Sequence, residues 1–180
     1  MRVEFDSVAL SGCHDVAGFD CGVSSLNGWL AEQALRAQQA GTARTFVWVT
    51  GEEPSRVWAY FSLAPTEVGR DVLSRGQSAG YSAVPGYLLA RLAVHINLRR
   101  LGYGGQVLLD ALSRAASAAG AGGGRLVVAD ALDETAASFY RHYDFTPVKG
   151  NPHRLVLKMA SVRRLLDLTG LEGEDSAPRL

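Results

Sequence analysis

The chain has two cysteines, two lysines and no long apolar run. Cys13 and Cys21 have no matching Cys or His pair, which excludes a disulfide framework and a zinc pattern and leaves buried, inert thiols as the expectation. No stretch approaches the ~18 apolar residues that a membrane span needs. Glu4 and Asp6 stand where a signal peptide would carry its apolar segment, so a cytoplasmic protein with no membrane partner is expected. Formal net charge is zero, so no overall basic field argues for nucleic acid. The 16 arginines against 2 lysines suit phosphate, although a GC-rich genome gives the same bias. Internal repeats are absent, and nothing points to a metal.

What is present is ordinary globular composition: 180 residues, 47% hydrophobic and 20% charged. That length fills one core, so a single domain over 1–168 is expected, followed by a loose acidic tail over 169–180. Residues 2–10 alternate as an edge strand. Val23, Leu26, Trp29, Leu30, Ala34 and Ala37 then mark one helix that stops at Gly41. Strands over 43–50 and 56–64 read as a hairpin. Between Pro65 and Pro85 the pattern dissolves into glycine and serine, with Arg70 and Arg75. A nearly continuous apolar run, 86–96, reads as a central strand. Val107, Leu108, Ala111, Leu112 and Ala115 form the buried stripe of a helix over 106–119, with Asp110, Ser113 and Arg114 outside. A strand over 125–131 follows, and right-handed crossover requires it to run parallel to 86–96. Asp133 caps a helix over 134–143; a strand over 154–159 and a helix over 161–168 complete the domain.

Arg99-Arg100-Leu101-Gly102-Tyr103-Gly104-Gly105, between the central strand and the long helix, is the stretch around which the rest is arranged. A glycine-rich turn that opens a helix leaves backbone N–H groups unpaired at the positive end of the helix dipole, which makes a socket for phosphate. A side chain at Gly102 or Gly104 would add steric cost or block the approach.

Arg99-x-x-Gly102-x-Gly104 resembles the acyl-CoA signature of the GNAT N-acetyltransferases, Gln/Arg-x-x-Gly-x-Gly/Ala. The run Ala136 to Phe145 resembles the family's second signature, a helix carrying Phe-Tyr and ending in Gly-Phe, except that Asp144 stands in place of the glycine. Asp tolerates the left-handed conformation better than most residues. Phe19-Asp20-Cys21-Gly22, Ala43-Arg44-Thr45, Leu89 to Val94 and Val128-Ala129-Asp130-Ala131 are similar to the GNAT toxins of toxin-antitoxin modules. The resemblance implies an α+β fold: a mixed, mostly antiparallel sheet of six to seven strands, with a parallel pair at the acetyl-CoA site and about four flanking helices. It also implies an acetyltransferase that acts on the α-amino group of aminoacyl-tRNA and blocks translation, a small DNA-binding antitoxin as partner, and a homodimer.

On that resemblance, acetyl-CoA is held by the backbone of Leu92, Ala93 and Val94 and by Arg99, Arg100, Leu101, Gly102, Tyr103, Gly104, Gly105 and Ala136. Tyr140 is the catalytic residue. With an unperturbed pKa of ~10 it suits an acid that protonates the departing thiol. The apolar run 88–96 holds no Asp or Glu to act as base, which favours an α-amino group, pKa ~7.7–8.0, over lysine at ~10.4. His95 is the one titratable base there and reads as a packed residue; Glu67 is another candidate. Candidate tRNA phosphate contacts are Arg44, Arg91, Arg36, Arg75 and Arg141. Two alternatives stand: acetylation of a protein N-terminus or a small amine, and a CoA-binding module without turnover.

Overall fold

The computed structural model describes residues 3–170. Its seven-stranded sheet has the order β1-β2-β3-β4-β5-β7-β6. The strands are β1 (Asp6–Ala9), β2 (Arg44–Val49), β3 (Ala59–Gly69), β4 (Ala83–Val94), β5 (Leu126–Asp130), β6 (Thr146–Val148) and β7 (Asn151–Lys158). All neighbours are antiparallel except β4 and β5, whose parallel register runs from Gly86 opposite Leu126 to Leu89 opposite Ala129. The mixed sheet with one parallel pair is therefore as the sequence suggests.

Among the described residues six α-helices flank it: α1 (Ser24–Glu32), α2 (Ala34–Gln39), α3 (Arg75–Ser78), α4 (Tyr103–Gly122), α5 (Glu134–His142) and α6 (Met159–Thr169). This exceeds the expected four for two reasons. The helix expected over 23–41 is broken at Gln33, and the 65–85 stretch is not patternless. There β3 and β4 extend their pairing to Gly69 opposite Ala83, and the excursion between them folds back as a short 3₁₀ turn and α3. Leu73 is buried with Val84, Leu126, Val128 and Val148, while Gln77 bonds Thr146 at 3.0 Å, so this segment covers one face of the sheet.

The two faces carry separate cores. On one, α4, α5 and α6 pack through Leu108, Leu112, Ala137 and Val162 against Phe61, Leu89, Val127 and Leu155. On the other, Leu26, Leu30 and Ala34 of α1 and α2 cover Val47, Val49 and Tyr60, whose hydroxyl donates to the Leu26 carbonyl at 2.8 Å. The stripe read along α4 is buried as expected. Its supposed outer face is not fully free: Asp110 accepts from Trp48 Nε1 at 2.8 Å, and Arg114 donates to the Ser7 carbonyl at 2.9 Å, binding α4 to β2 and to β1. Cys21 is buried and its thiol pushed up by burial, whereas Cys13 is exposed, contrary to expectation. The helix α6 continues through Thr169, one residue past the expected domain end, and positions 171–180 of the expected tail lie outside the described residues. Among the described residues no helix is long and apolar enough to cross a membrane.

Candidate active site

Beyond Leu89 and Ala129 the two parallel strands part, and Ala90 forms a bulge, since Ser62 pairs with Arg91 and Leu63 with Leu89. A bulge re-aims its strand. Among the described residues the β5-facing edge of 90–94 is thus without a strand partner, while its other edge remains bonded to β3. A cleft of about 300 Å³ opens there, lined by Ser25 and Leu26 of α1, Leu88 to Leu92 of β4, Asp130 to Leu132, and Ala136 and Tyr140 of α5.

Tyr140 reaches this cleft because α5 starts where β5 ends. Asp133 caps the helix by accepting from the Ala136 amide at 2.8 Å, as its position three residues upstream predicts. Phe139 and Phe145 hold the Tyr140 ring at centroid distances of 5.3 and 5.4 Å. The side chain is 7% exposed. Burial, and to a lesser degree the negative charge of Asp130, push the phenol well above its ordinary range, so it stays protonated. Among the described residues no protein group hydrogen-bonds its hydroxyl, and the residue lines the cleft. Asp144 takes φ 66°, the left-handed conformation of the glycine it replaces, and the turn into Phe145 survives.

The glycine turn expected to hold phosphate lies past a 3₁₀ turn at Ile96–Leu98. Arg100 at φ 60° and Gly102 at φ 82° turn the chain into α4. Among the described residues no side chain caps that helix, and its first turn holds no acidic residue, so the first-turn amides have no side-chain acceptor. The close-packed glycine is Gly105 rather than Gly104. A Cβ at 105 would collide with the Tyr143 hydroxyl, whereas one at 104 would lie at an ordinary 3.7 Å from Phe139.

Two residues, Arg99 and Ala136, sit otherwise than expected, while His95 sits as expected. The Arg99 guanidinium donates to the Cys21 carbonyl and so is directed at the turn before α1. The Ala136 amide is spent on Asp133, which leaves Ala136 as a wall of the cleft. His95 is a packed residue: it lies between Phe19 and Trp58, and its Nδ1 accepts from the Asn97 amide at 3.2 Å. Burial first, then the charge of Arg56, lowers its pKa, so it is neutral near pH 7. Glu67 pairs with Pro85 far down β3 and is not part of the cleft wall.

The arginines scatter. Arg91 lines the cleft, with its guanidinium 5.3 Å from the Trp29 ring and bonded to the Ala90 carbonyl at 2.6 Å. Arg75 borders a separate hollow with Arg70 and Lys149. Arg44 faces a third hollow beside Phe46 and Arg114. Arg36 is exposed on α2, and Arg141 is tied to Glu134. Sequence reasoning missed Ser25, Leu26 and Leu132 as cleft walls, since only the fold brings α1 to β4. Asp130 could have been singled out from its place at the end of a buried strand.

No family model matches the chain. Over 158 residues it is 34% identical to the tRNA-acetylating toxin of Mycobacterium tuberculosis, covering 87% of this chain and 93% of that protein. This chain belongs to the GNAT toxins. It is 27% identical over 163 residues to the probable toxin TacT of Sinorhizobium fredii, covering 85% and 90% of the two chains. Among solved structures, AtaT complexed with acetyl-methionyl-tRNAfMet is similar with a TM-score of 0.83 at 25% identity, over 91% of this chain and 99% of that one. A tyrosine-to-phenylalanine mutant of KacT shares the fold, with a TM-score of 0.83 at 24% identity, over 89% of this GNAT toxin and 98% of KacT. The match spans the glycine turn, the bulged strand and the phenol-bearing helix alike, and it makes this GNAT toxin an N-acetyltransferase.

Proposed function

We propose that this protein moves the acetyl group of acetyl-CoA onto the α-amino group of aminoacyl-tRNA in the cytoplasm, and so arrests translation. The observation that carries the reading is the protonated Tyr140 phenol facing a cleft between the unpartnered edge of β4 and the end of β5. Its curated relative in M. tuberculosis is named a tRNA-acetylating toxin, AtaT is solved with an acetylated methionyl-tRNA, and AtaT with its antitoxin AtaR is solved bound to acetyl-CoA.

The residues fit the cofactor. Free amides of Gly102 to Gly105 and the charge of Arg100 suit its pyrophosphate, each such bond contributing ~1.5–3 kcal/mol. The open edge at Leu92 to Val94 suits its amide-bearing arm, as an added strand would. Acetyl-CoA supplies an activated acyl group on sulfur. Tyr140 would hold its proton at the hydroxyl and give it to the leaving thiolate, the proton lost from the acylated amine restoring the phenol, while the apolar walls Leu26, Leu88 and Leu92 keep bulk water out. No carboxylate of β4 faces the cleft to act as base, and an α-amino group of pKa ~7.7–8.0 reaches its neutral form without one. Asp130, which lines the cleft, is engaged by Arg154 at 3.0 Å.

Arg91 is the phosphate contact nearest the chemistry. Arg75, with Arg70 and Lys149, forms a second basic area for the tRNA body. A small DNA-binding antitoxin as partner and a homodimer complete the reading; AtaT is solved with the C-terminus of AtaR. The test is translation in a cell-free extract with and without acetyl-CoA, followed by mass spectrometry of the charged tRNAs. Arrest that requires acetyl-CoA, with N-acetylated aminoacyl ends, supports the reading; arrest without acetylation contradicts it.

A further inference from the structure

The Arg99 contact joins two parts of the molecule that the reaction must bring into register. Two bonds from Asn27 knit the turn Asp20 to Gly22 to the start of α1, and a third closes the turn on itself. The Asp20 carboxylate accepts from the Gly22 amide at 2.7 Å and from Asn27 Nδ2 at 2.9 Å, and Asn27 Oδ1 accepts from the Cys21 amide at 2.9 Å. Two more bonds tie that turn to the end of β4 and the cofactor loop: the Ile96 amide donates to the Asp20 carbonyl at 2.8 Å, and the Arg99 guanidinium donates to the Cys21 carbonyl. Gly22, at φ 76°, makes the room, because a Cβ there would lie 2.8 Å from Arg99 Nη2. A few residues on, Ser25 and Leu26 form the α1 wall of the acceptor cleft.

Building on the cofactor reading above, we infer that Arg99 is a positioning residue that latches the cofactor loop to the Asp20–Gly22 turn, so that anchoring of the cofactor's phosphates firms up the α1 wall of the acceptor cleft. At this loop Leu101 is 62% exposed and, among the described residues, no side chain caps α4. Segments so built open at low free-energy cost. A phosphate gripped by the loop amides restricts Arg99, whose backbone begins that loop, and the latch passes the restriction to the turn. Two sites that bias one shared element are coupled, and the coupling is reciprocal. Arg99 thus acts on the acceptor side, although its place in the signature suggested a phosphate ligand.

Hydrogen exchange of the full-length protein, with and without saturating CoA, reads the latch without any tRNA. In the wild type, amides in 20–28 and in 100–106 slow together on CoA binding, by about tenfold or more. Arg99→Gln, whose shorter side chain cannot carry its donor to the Cys21 carbonyl, keeps the slowing at 100–106 and loses it at 20–28, and Arg99→Lys, whose longer chain still brings a donor there, restores part of it. The loss in CoA affinity of Arg99→Gln stays well below the about 10- to 100-fold expected for removal of a charge-assisted phosphate contact. Gly22→Ala dislodges the latch from the other side and gives the same pattern with the loop sequence intact. CoA affinity that falls in Arg99→Gln by that larger factor, with protection at 20–28 preserved at saturation, would make Arg99 a phosphate ligand and overturn the latch. CoA binding by the wild type without any change at 20–28 also overturns it. A wild type that binds no CoA would overturn the cofactor reading first, and the latch with it.

Discussion

Two alanine substitutions two residues apart are expected to act in opposite directions. Gly104 lies inside the first turn of α4, and a Cβ built there meets only Phe139 ring atoms at 3.7 and 3.9 Å. Gly104→Ala therefore gains helix propensity without a clash, about 0.5–1 kcal/mol of added stability. Gly102 stands at φ 82°, and a Cβ there meets nothing within 4 Å. The cost of Gly102→Ala is thus conformational and not steric, about 1–2 kcal/mol for forcing an L side chain into the left-handed region. That cost falls on the turn that aims the α4 amides, so acetyl-CoA affinity falls with it, by about 5- to 30-fold if the whole penalty is felt only in the bound geometry. Gly102→Asn recovers part of the loss, since Asn tolerates this conformation. Urea unfolding gives the stability change and calorimetric titration with acetyl-CoA gives the affinity. A Gly102→Ala protein with wild-type stability and wild-type cofactor affinity would refute the assignment of this turn as the phosphate socket.

Other outcomes follow from the same geometry. The folded-state pKa of His95 is depressed, so its contribution to stability is present above about pH 6.5 and is lost as pH falls below that value. The slope reaches at most about 1.4 kcal/mol per pH unit for this one proton. His95→Asn, which can still accept from the Asn97 amide, flattens that slope in denaturant titrations between pH 5 and 8; an unchanged slope would place the proton elsewhere. Because the Tyr140 phenol is raised above its usual value, kcat shows no alkaline fall below about pH 10, the ordinary tyrosine range. A fall near pH 8 to 9 would point to another acid. If Arg75, Arg70 and Lys149 meet tRNA phosphates, Arg75→Ala lowers the slope of log KM against log salt by roughly 0.7–0.9. An unchanged slope removes that surface from the substrate path.

Features decided within a few residues were legible in the sequence. The stripe of α4, the Asp133 cap and the left-handed Asp144 depend on neighbours close in the chain, and the parallel pairing of β4 with β5 follows from crossover handedness. Features decided by distant partners were not. Asp110 and Arg114 look outward on a helical wheel, yet Trp48 and Ser7, 62 and 107 residues away, engage them. The break at Gln33 carries no proline or glycine to announce it, and the 3-residue β6 with Pro147 in its middle lacks a strand signature. Within the candidate site, the placement of Tyr140 on a helix beside the cleft and of the glycine turn at the start of α4 was legible because both belong to local motifs. The aim of Arg99 was not, because its acceptor is the carbonyl of Cys21, 78 residues earlier.

The central claim is that a buried, protonated phenol delivers the proton that lets CoA leave. Single-turnover acetyl transfer to charged tRNA by Tyr140→Phe, with both substrates saturating, tests it most directly. The variant is expected to bind acetyl-CoA as the wild type does and to react about 10²–10⁴ times more slowly. Transfer at close to the wild-type rate would contradict it.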